Sequence, residues 1–295
     1  MKNSTKWRVG ATLYKPNFLG FTLLLVWAVM PMGMVGCSQG QSAGGEEVAA
    51  DPSDRTAEEP ASIDLAFLEG VSAGRAEIVQ MMLDRGANVN AANSKGVTAL
   101  MIAGFKGHSE VVKLLLNQPN LNLNARDRDG WSPLFYSLKS EKIEILQLML
   151  RQPGLDVNAK DVLGLSALNW ALILGEIEIV TLMSKQPGID INVRDALGRT
   201  PLMWAATLCR PKIADLLLNM KTEPQMVDFN AVDVSGRSAL MWAAFNGCSP
   251  IVERLLEQPG VGLEDEDHQG KTALRLAEER GQTKVFEILN SRRLL

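Results

Sequence analysis

Six glycines set the frame of this chain. Gly96, Gly130, Gly164, Gly198, Gly236 and Gly270 each stand two residues before a Thr or Ser, at steps of 34, 34, 34, 38 and 34 residues. Self-similarity at a fixed period of this length means one small unit stacked many times. One such unit cannot bury its apolar face alone, so neighbours must stack. On length alone, 295 residues could form one large or two ordinary domains. The unbroken period from about Ile63 favours a single elongated domain.

The chemistry of one unit predicts two short helices and a turn. Thr98, Ser132, Ser166, Thr200, Ser238 and Thr272 stand where a helix N-cap accepts a bond from orphan amides, about 1 kcal/mol each. Pro133 and Pro201 follow at the first helical position, where proline loses no bond. Ala103, Ala171, Ala205 and Ala243 let paired helices approach closely. Val111, Val112, Leu114, Leu115 and Leu116 give the second helix an apolar face at helical spacing.

The openings of six units read G-V-T-A-L-M-I-A, G-W-S-P-L-F-Y-S, G-L-S-A-L-N-W-A, G-R-T-P-L-M-W-A, G-R-S-A-L-M-W-A and G-K-T-A-L-R-L-A. They resemble the ankyrin core G-x-T-P-L-H-x-A, and Ala87-Asn88-Val89-Asn90 resembles its closing G-A-D-V-N. The resemblance implies an all-α ankyrin-repeat solenoid of about seven units, at 63–92, 93–126, 127–160, 161–194, 195–232, 233–266 and 267–295. Two departures stand out. The family's His is replaced by Met101, Phe135, Asn169, Met203, Met241 and Arg275, so the imidazole's hydrogen bonds are expected to be missing. The fifth unit carries an insert, Met220 to Phe229, that produces the step of 38.

Residues 1–36 carry Lys2, Lys6, Arg8 and Lys15 and no acid, and Leu19 to Gly36 are uncharged. A basic start followed by an apolar run reads as an export signal. Met34-Val35-Gly36-Cys37 resembles a bacterial lipobox, which implies acylation of Cys37 and, with Ser38 following, an outer-membrane lipoprotein facing the periplasm. Several acyl chains anchor stably where one is marginal. An uncleaved signal anchor is the alternative. Residues 37–62 are Gly, Ser, Ala, Glu and Pro with almost no large apolar side chains, which predicts a flexible acidic linker.

Without the four N-terminal cations the formal net charge of -4 becomes -8. That sign does not suit nucleic acid, which is gripped by clustered Lys and Arg. Two histidines, His108 and His268, and three cysteines without a C-x-x-C pair leave little for catalysis or zinc. Gly164-Leu165-Ser166 starts like a nucleophile elbow but lacks the closing glycine and sits at the repeated cap. Asp265 to Gly270 starts like a calcium loop, but Leu276 holds the place of the bidentate Glu. His108 and the recurring Trp170, Trp204 and Trp242 read as packing residues. No enzyme activity, cofactor or metal is expected. Cys209 and Cys248 lie in neighbouring inter-helix turns one residue out of register. Stacked units about 10 Å apart exceed the roughly 7 Å Cα limit of a disulfide, so two free thiols are favoured over a bond.

In ankyrin proteins, partners meet the hairpin tips and the exposed side of the first helices. Carried onto this sequence, the resemblance implies a concave face with an apolar centre. Its binding residues would be Phe105, Trp131, Leu163, Leu165, Ile173, Leu174, Leu197, Arg199, Leu208 and Phe245. An apolar centre with aromatic anchors suits a protein partner. The expected function is a monomeric, membrane-tethered protein-binding scaffold. Alternatives are a periplasmic stress-protective factor that shields an envelope enzyme, or a secreted effector that binds host proteins.

Overall fold

The computed structural model describes residues 60–294, save 141, 223 and 224. The expected signal at 1–36, the acylation site at Cys37 and most of the linker at 37–62 lie outside the described residues. The last three linker residues belong to the first helix.

Among the described residues, seven helix pairs follow one another. They are α1 (Pro60–Ser72) with α2 (Ala76–Asp84), α3 (Ala99–Lys106) with α4 (Ser109–Leu116), and α5 (Pro133–Leu138) with α6 (Ile143–Leu150). Then come α7 (Ala167–Leu174) with α8 (Ile177–Ser184), α9 (Pro201–Thr207) with α10 (Pro211–Leu218), α11 (Ala239–Phe245) with α12 (Ser249–Leu256), and α13 (Ala273–Glu279) with α14 (Thr283–Arg293). The all-α solenoid is present as expected, and the insert of the fifth unit adds one very short strand pair to it. Its strands β1 (Lys221–Thr222) and β2 (Gln225–Met226) pair antiparallel.

Most of these helices have eight residues or fewer, too short to persist alone in water. Two things hold them. The first is capping. Thr98, Ser166, Thr200, Ser238 and Thr272 accept from the amides of Met101, Asn169, Met203, Met241 and Arg275. Ser132 stands at the same position but its buried hydroxyl finds no partner. The second is burial. First helices pack on first helices of neighbouring units and second helices on second helices, giving one continuous core. Ala103, Ala171, Ala205, Ala243 and Ala277 are wholly buried where the helices meet.

The loss of the family's His is partly made good. Met101 Sδ and Met203 Sδ accept from the backbone N–H of Thr98 (3.3 Å) and Thr200 (3.5 Å). Asn169 Oδ1 accepts from the Ser166 N–H at 3.1 Å. The two thioethers lack imidazole's donor, and the Asn169 Nδ2 donor finds no partner, but all three side chains keep an acceptor within reach of the cap, so the bond expected to be missing is present in a weaker form.

A ladder of asparagines joins successive units. Asn124 Nδ2 donates to the Gly154 carbonyl (2.8 Å) while its Oδ1 accepts from the Asp156 N–H (2.8 Å). Asn90, Asn158, Asn192 and Asn230 make the same double contact with the unit that follows each. One side chain thus satisfies a donor and an acceptor that irregular backbone would otherwise leave open.

The structure overturns the free-thiol expectation. Cys209 and Cys248 form a disulfide with Cα atoms 5.5 Å apart. The turn between paired helices needs a left-handed residue, and Gly107, Gly175, Gly247 and Gly281 supply it in other units. Cys209 stands at that position with φ 47°. A Cβ placed on Gly175 would lie 3.0 Å from the Arg210 guanidinium of the next unit, and one on Gly247 would lie 2.1 Å from the Gln282 amide. The left-handed turn therefore aims any side chain at the residue one register further on in the next unit. For Cys209 that residue is Cys248. The offset that argued against a bond is what permits it.

Candidate protein-binding face

The hairpins between units are built on aspartates. In five hairpins one Asp oxygen accepts from the amides two and four residues later. For Asp195 these are Leu197 (2.9 Å) and Arg199 (2.8 Å). Asp127, Asp161, Asp233 and Asp267 repeat the pattern. The second oxygen reaches a ring nine residues on. Asp161, Asp195 and Asp233 accept from the indole N–H of Trp170 (2.9 Å), Trp204 (3.1 Å) and Trp242 (2.9 Å). Asp127 accepts from Tyr136 Oη at 2.7 Å. Burial, aided by the Asp127 carboxylate, pushes the Tyr136 phenol well above its ordinary pKa and keeps it a donor. Each of these four hairpins is thus tied to the first helix of its own unit.

Neighbouring tips are also joined through backbone. The N–H groups of Arg128, Val162, Ala196, Val234 and His268 donate to the carbonyls of Lys95, Asp129, Leu163, Leu197 and Ser235 at 2.9 to 3.2 Å. The result is a fixed row of tips, suited to presenting side chains without an ordering penalty on binding.

Three of the ten expected binding residues are exposed: Leu197 at 46 % on this row, and Phe105 at 49 % and Leu174 at 37 % at the ends of first helices. Leu163, Ile173, Leu208 and Phe245 are half-buried. Val162 and Val234 at neighbouring tips are exposed too. The remaining three are corrected by the structure, because Trp131, Leu165 and Arg199 are only 6 %, 3 % and 7 % exposed. Trp131 packs among Phe135, Tyr136 and Trp170, with ring centroids 5.2 to 6.1 Å away. Leu165 lies beneath the hairpin, its N–H held by Asp161 at 2.9 Å. Arg199 turns in to Asp195 (Nε to Oδ2, 2.9 Å) and lies 3.8 Å over the Trp204 ring. These three build the platform and do not offer surface to a partner.

Cations and aromatic rings recur together here. Arg237 binds Asp267 (3.0 Å) and faces both Trp242 and Phe245. Burial opposes the charged form of Asp267, but bonds from Arg237, Gln269 and Lys271 outweigh it and lower its pKa. Lys139 Nζ stands 4.3 Å over the Trp131 ring and the Arg280 guanidinium 4.2 Å over Phe245. Burial lowers the pKa of Lys139.

The role of the aspartates as builders of this face is not evident from residue type alone. Their signal is a carboxylate three residues before a frame glycine and nine before an aromatic, which holds at Gly130, Gly164, Gly198 and Gly236: Asp161, Gly164 and Trp170, or Asp195, Gly198 and Trp204. On the opposite side, an open cleft of about 390 Å³ lies between α6 and α8 and is lined by Ile143, Gln147, Ile177, Glu178, Thr181, Leu182 and Lys185. Among the described residues no group of three or more His, Cys, Asp or Glu side chains could hold a metal ion. No helix among them is long and apolar enough to cross a membrane.

A family model described as ankyrin repeats (3 copies) matches residues 67–161, 154–228 and 224–293. No curated protein sequence matches the chain. The helix pairs, capped turns and hairpin row fall within the matched residues, which span well over half of the sequence, and the chain therefore belongs to the ankyrin-repeat family.

Proposed function

We propose that this chain is a non-enzymatic protein-binding scaffold, held at a bacterial outer membrane through an acylated Cys37 and facing the periplasm. Ankyrin repeats generally mediate protein–protein interaction. The observation that carries the binding reading is the row of exposed apolar side chains Phe105, Val162, Leu174, Leu197 and Val234 on hairpins and first helices. An exposed apolar row on a rigid frame marks a contact surface; full burial of a large side chain contributes on the order of 1.5–3 kcal/mol, of which side chains already about half covered supply roughly half. The tether rests on the basic, then apolar, then Gly36-Cys37 pattern of the N-terminus.

Two measurements test the reading. Leu174→Asp combined with Leu197→Asp should leave the helical circular dichroism unchanged and abolish photocrosslinking of a partner from position 208 in native envelopes. Undiminished crosslinking would remove the patch. Mass spectrometry of the mature N-terminus should find an acylated Cys37; a chain that still begins at Met1 would refute the anchor.

A further inference from the structure

The chain is acidic overall, but its hairpin face is not. The reason lies in how the turns are made. Asp161, Asp195, Asp233 and Asp267 are buried, with both oxygens engaged, so their charge is spent inside the turn. Arg199 and Arg237 are drawn in with them, while other cations of this face, Lys139 and Arg280 among them, stay nearer the surface.

Two of these cations differ from those on the second helices. There, Lys113 is held by Glu110 and Glu144, and Arg254 by Asp215 and Glu257. On the hairpin side, Lys139 and Arg280 are half-buried and rest on aromatic rings, and neither reaches a carboxylate among the described residues. A ring face orients a cation but does not neutralise it. Burial disfavours the charge of Lys139, which is the state an incoming anion would relieve. Between the two cations lie the aliphatic side chains Leu174, Leu197 and Leu208.

We propose that this face takes an acidic protein segment in extended form, with aliphatic or aromatic side chains against Leu174 and Leu197 and carboxylates at its two ends on Lys139 and Arg280. The proposal rests on the scaffold reading above and adds the chemistry of the partner. Lys139 belongs to the third unit and Arg280 to the seventh. At roughly 8–10 Å per helix-to-helix step the separation is about 40 Å, which about twelve extended residues span. Polyanions such as nucleic acid fit worse, because the centre is aliphatic and the two cations are far apart.

The test uses the full chain in detergent as bait for displayed random 12-residue peptides, followed by fluorescence anisotropy on the selected sequences. The expected peptides carry Asp or Glu near both ends and Leu, Ile or Phe between. Their binding should weaken at least tenfold with Lys139→Glu plus Arg280→Glu, and clearly with the milder Lys139→Gln plus Arg280→Gln, each verified by circular dichroism. Raising salt from 0.1 to 0.5 M should weaken it further. Lys212→Glu, a position at the start of α10 away from the hairpin row, should leave it unchanged. Neutral or basic peptides whose binding is lost with Leu174→Asp would overturn the acidic assignment and leave the scaffold reading intact. The acidic assignment also fails, with the scaffold reading intact, if charge reversal changes nothing or if duplex DNA binds through these cations in place of acidic peptides. Peptides insensitive to Leu174→Asp, or no enrichment at all, would overturn both.

Discussion

Reduction of the Cys209–Cys248 bond should lower the stability of the repeat domain by up to about 4 kcal/mol, the loop-closure figure for a separation of 39 residues. The loss should be local. In a stack held by neighbour contacts, each interface contributes separately, and this bond ties the fifth unit to the sixth. Amides of α9 to α12 should therefore exchange faster after treatment with a dithiol, while those of α3 to α6 stay protected. The two cysteines should differ as mutation sites. Cys209→Gly loses the bond but relieves a left-handed backbone (φ 47°), a strain of about 1 kcal/mol or more. Cys248→Ala loses the same bond and also empties buried volume, as Cys248 is 1 % exposed. The glycine variant should be the more stable of the two in urea titrations. Identical unfolding with and without reductant would show that the bond staples nothing.

The second large effect is expected at Asp195. Its carboxylate accepts from Leu197 N–H, Arg199 N–H, Arg199 Nε and Trp204 Nε1. With the side chains of Asp195 and Arg199 only 2 % and 9 % exposed, Asp195→Ala leaves a guanidinium buried without a counter-charge. Breaking one side of such a pair typically costs about 3–5 kcal/mol. Asp195→Asn should fall between, since the amide oxygen can keep the two backbone bonds but not the charge. Asp161→Ala provides the comparison. It loses two amide bonds and the Trp170 bond but strands no cation, so it should cost clearly less. Equal losses at Asp161 and Asp195 in thermal or urea unfolding would mean that the Arg199 pair carries no weight.

The contrast between these two aspartates bears on what could be read in the residues. The repeat frame was legible because it is local. A cap, a glycine turn and an apolar helical face recur at fixed spacing, and each follows from rules spanning a few residues. Exposure at the hairpins was legible only in part. Leu197 and Arg199 are two residues apart on one tip, yet the first is exposed and the second buried. The difference arises because Asp195 draws the guanidinium inward onto Trp204, an attraction set by the partner's position and not by residue type. Trp131 behaves likewise. A lone tryptophan at a tip reads as an anchor, but the rings of Phe135, Tyr136 and Trp170 gather it into the core.

The sequence by itself determined the number of units, their helix pairs and the place of the insert. All of these follow from periodicity and short-range backbone preference. Tertiary structure alone decided which tip residues reach solvent, which cations rest on rings in place of carboxylates, and that Cys209 meets Cys248. Those outcomes depend on where one unit's side chains fall on the next, a vector that a one-dimensional period does not carry. The left-handed turn at Cys209 turned an apparent mismatch of register into a Cα separation of 5.5 Å.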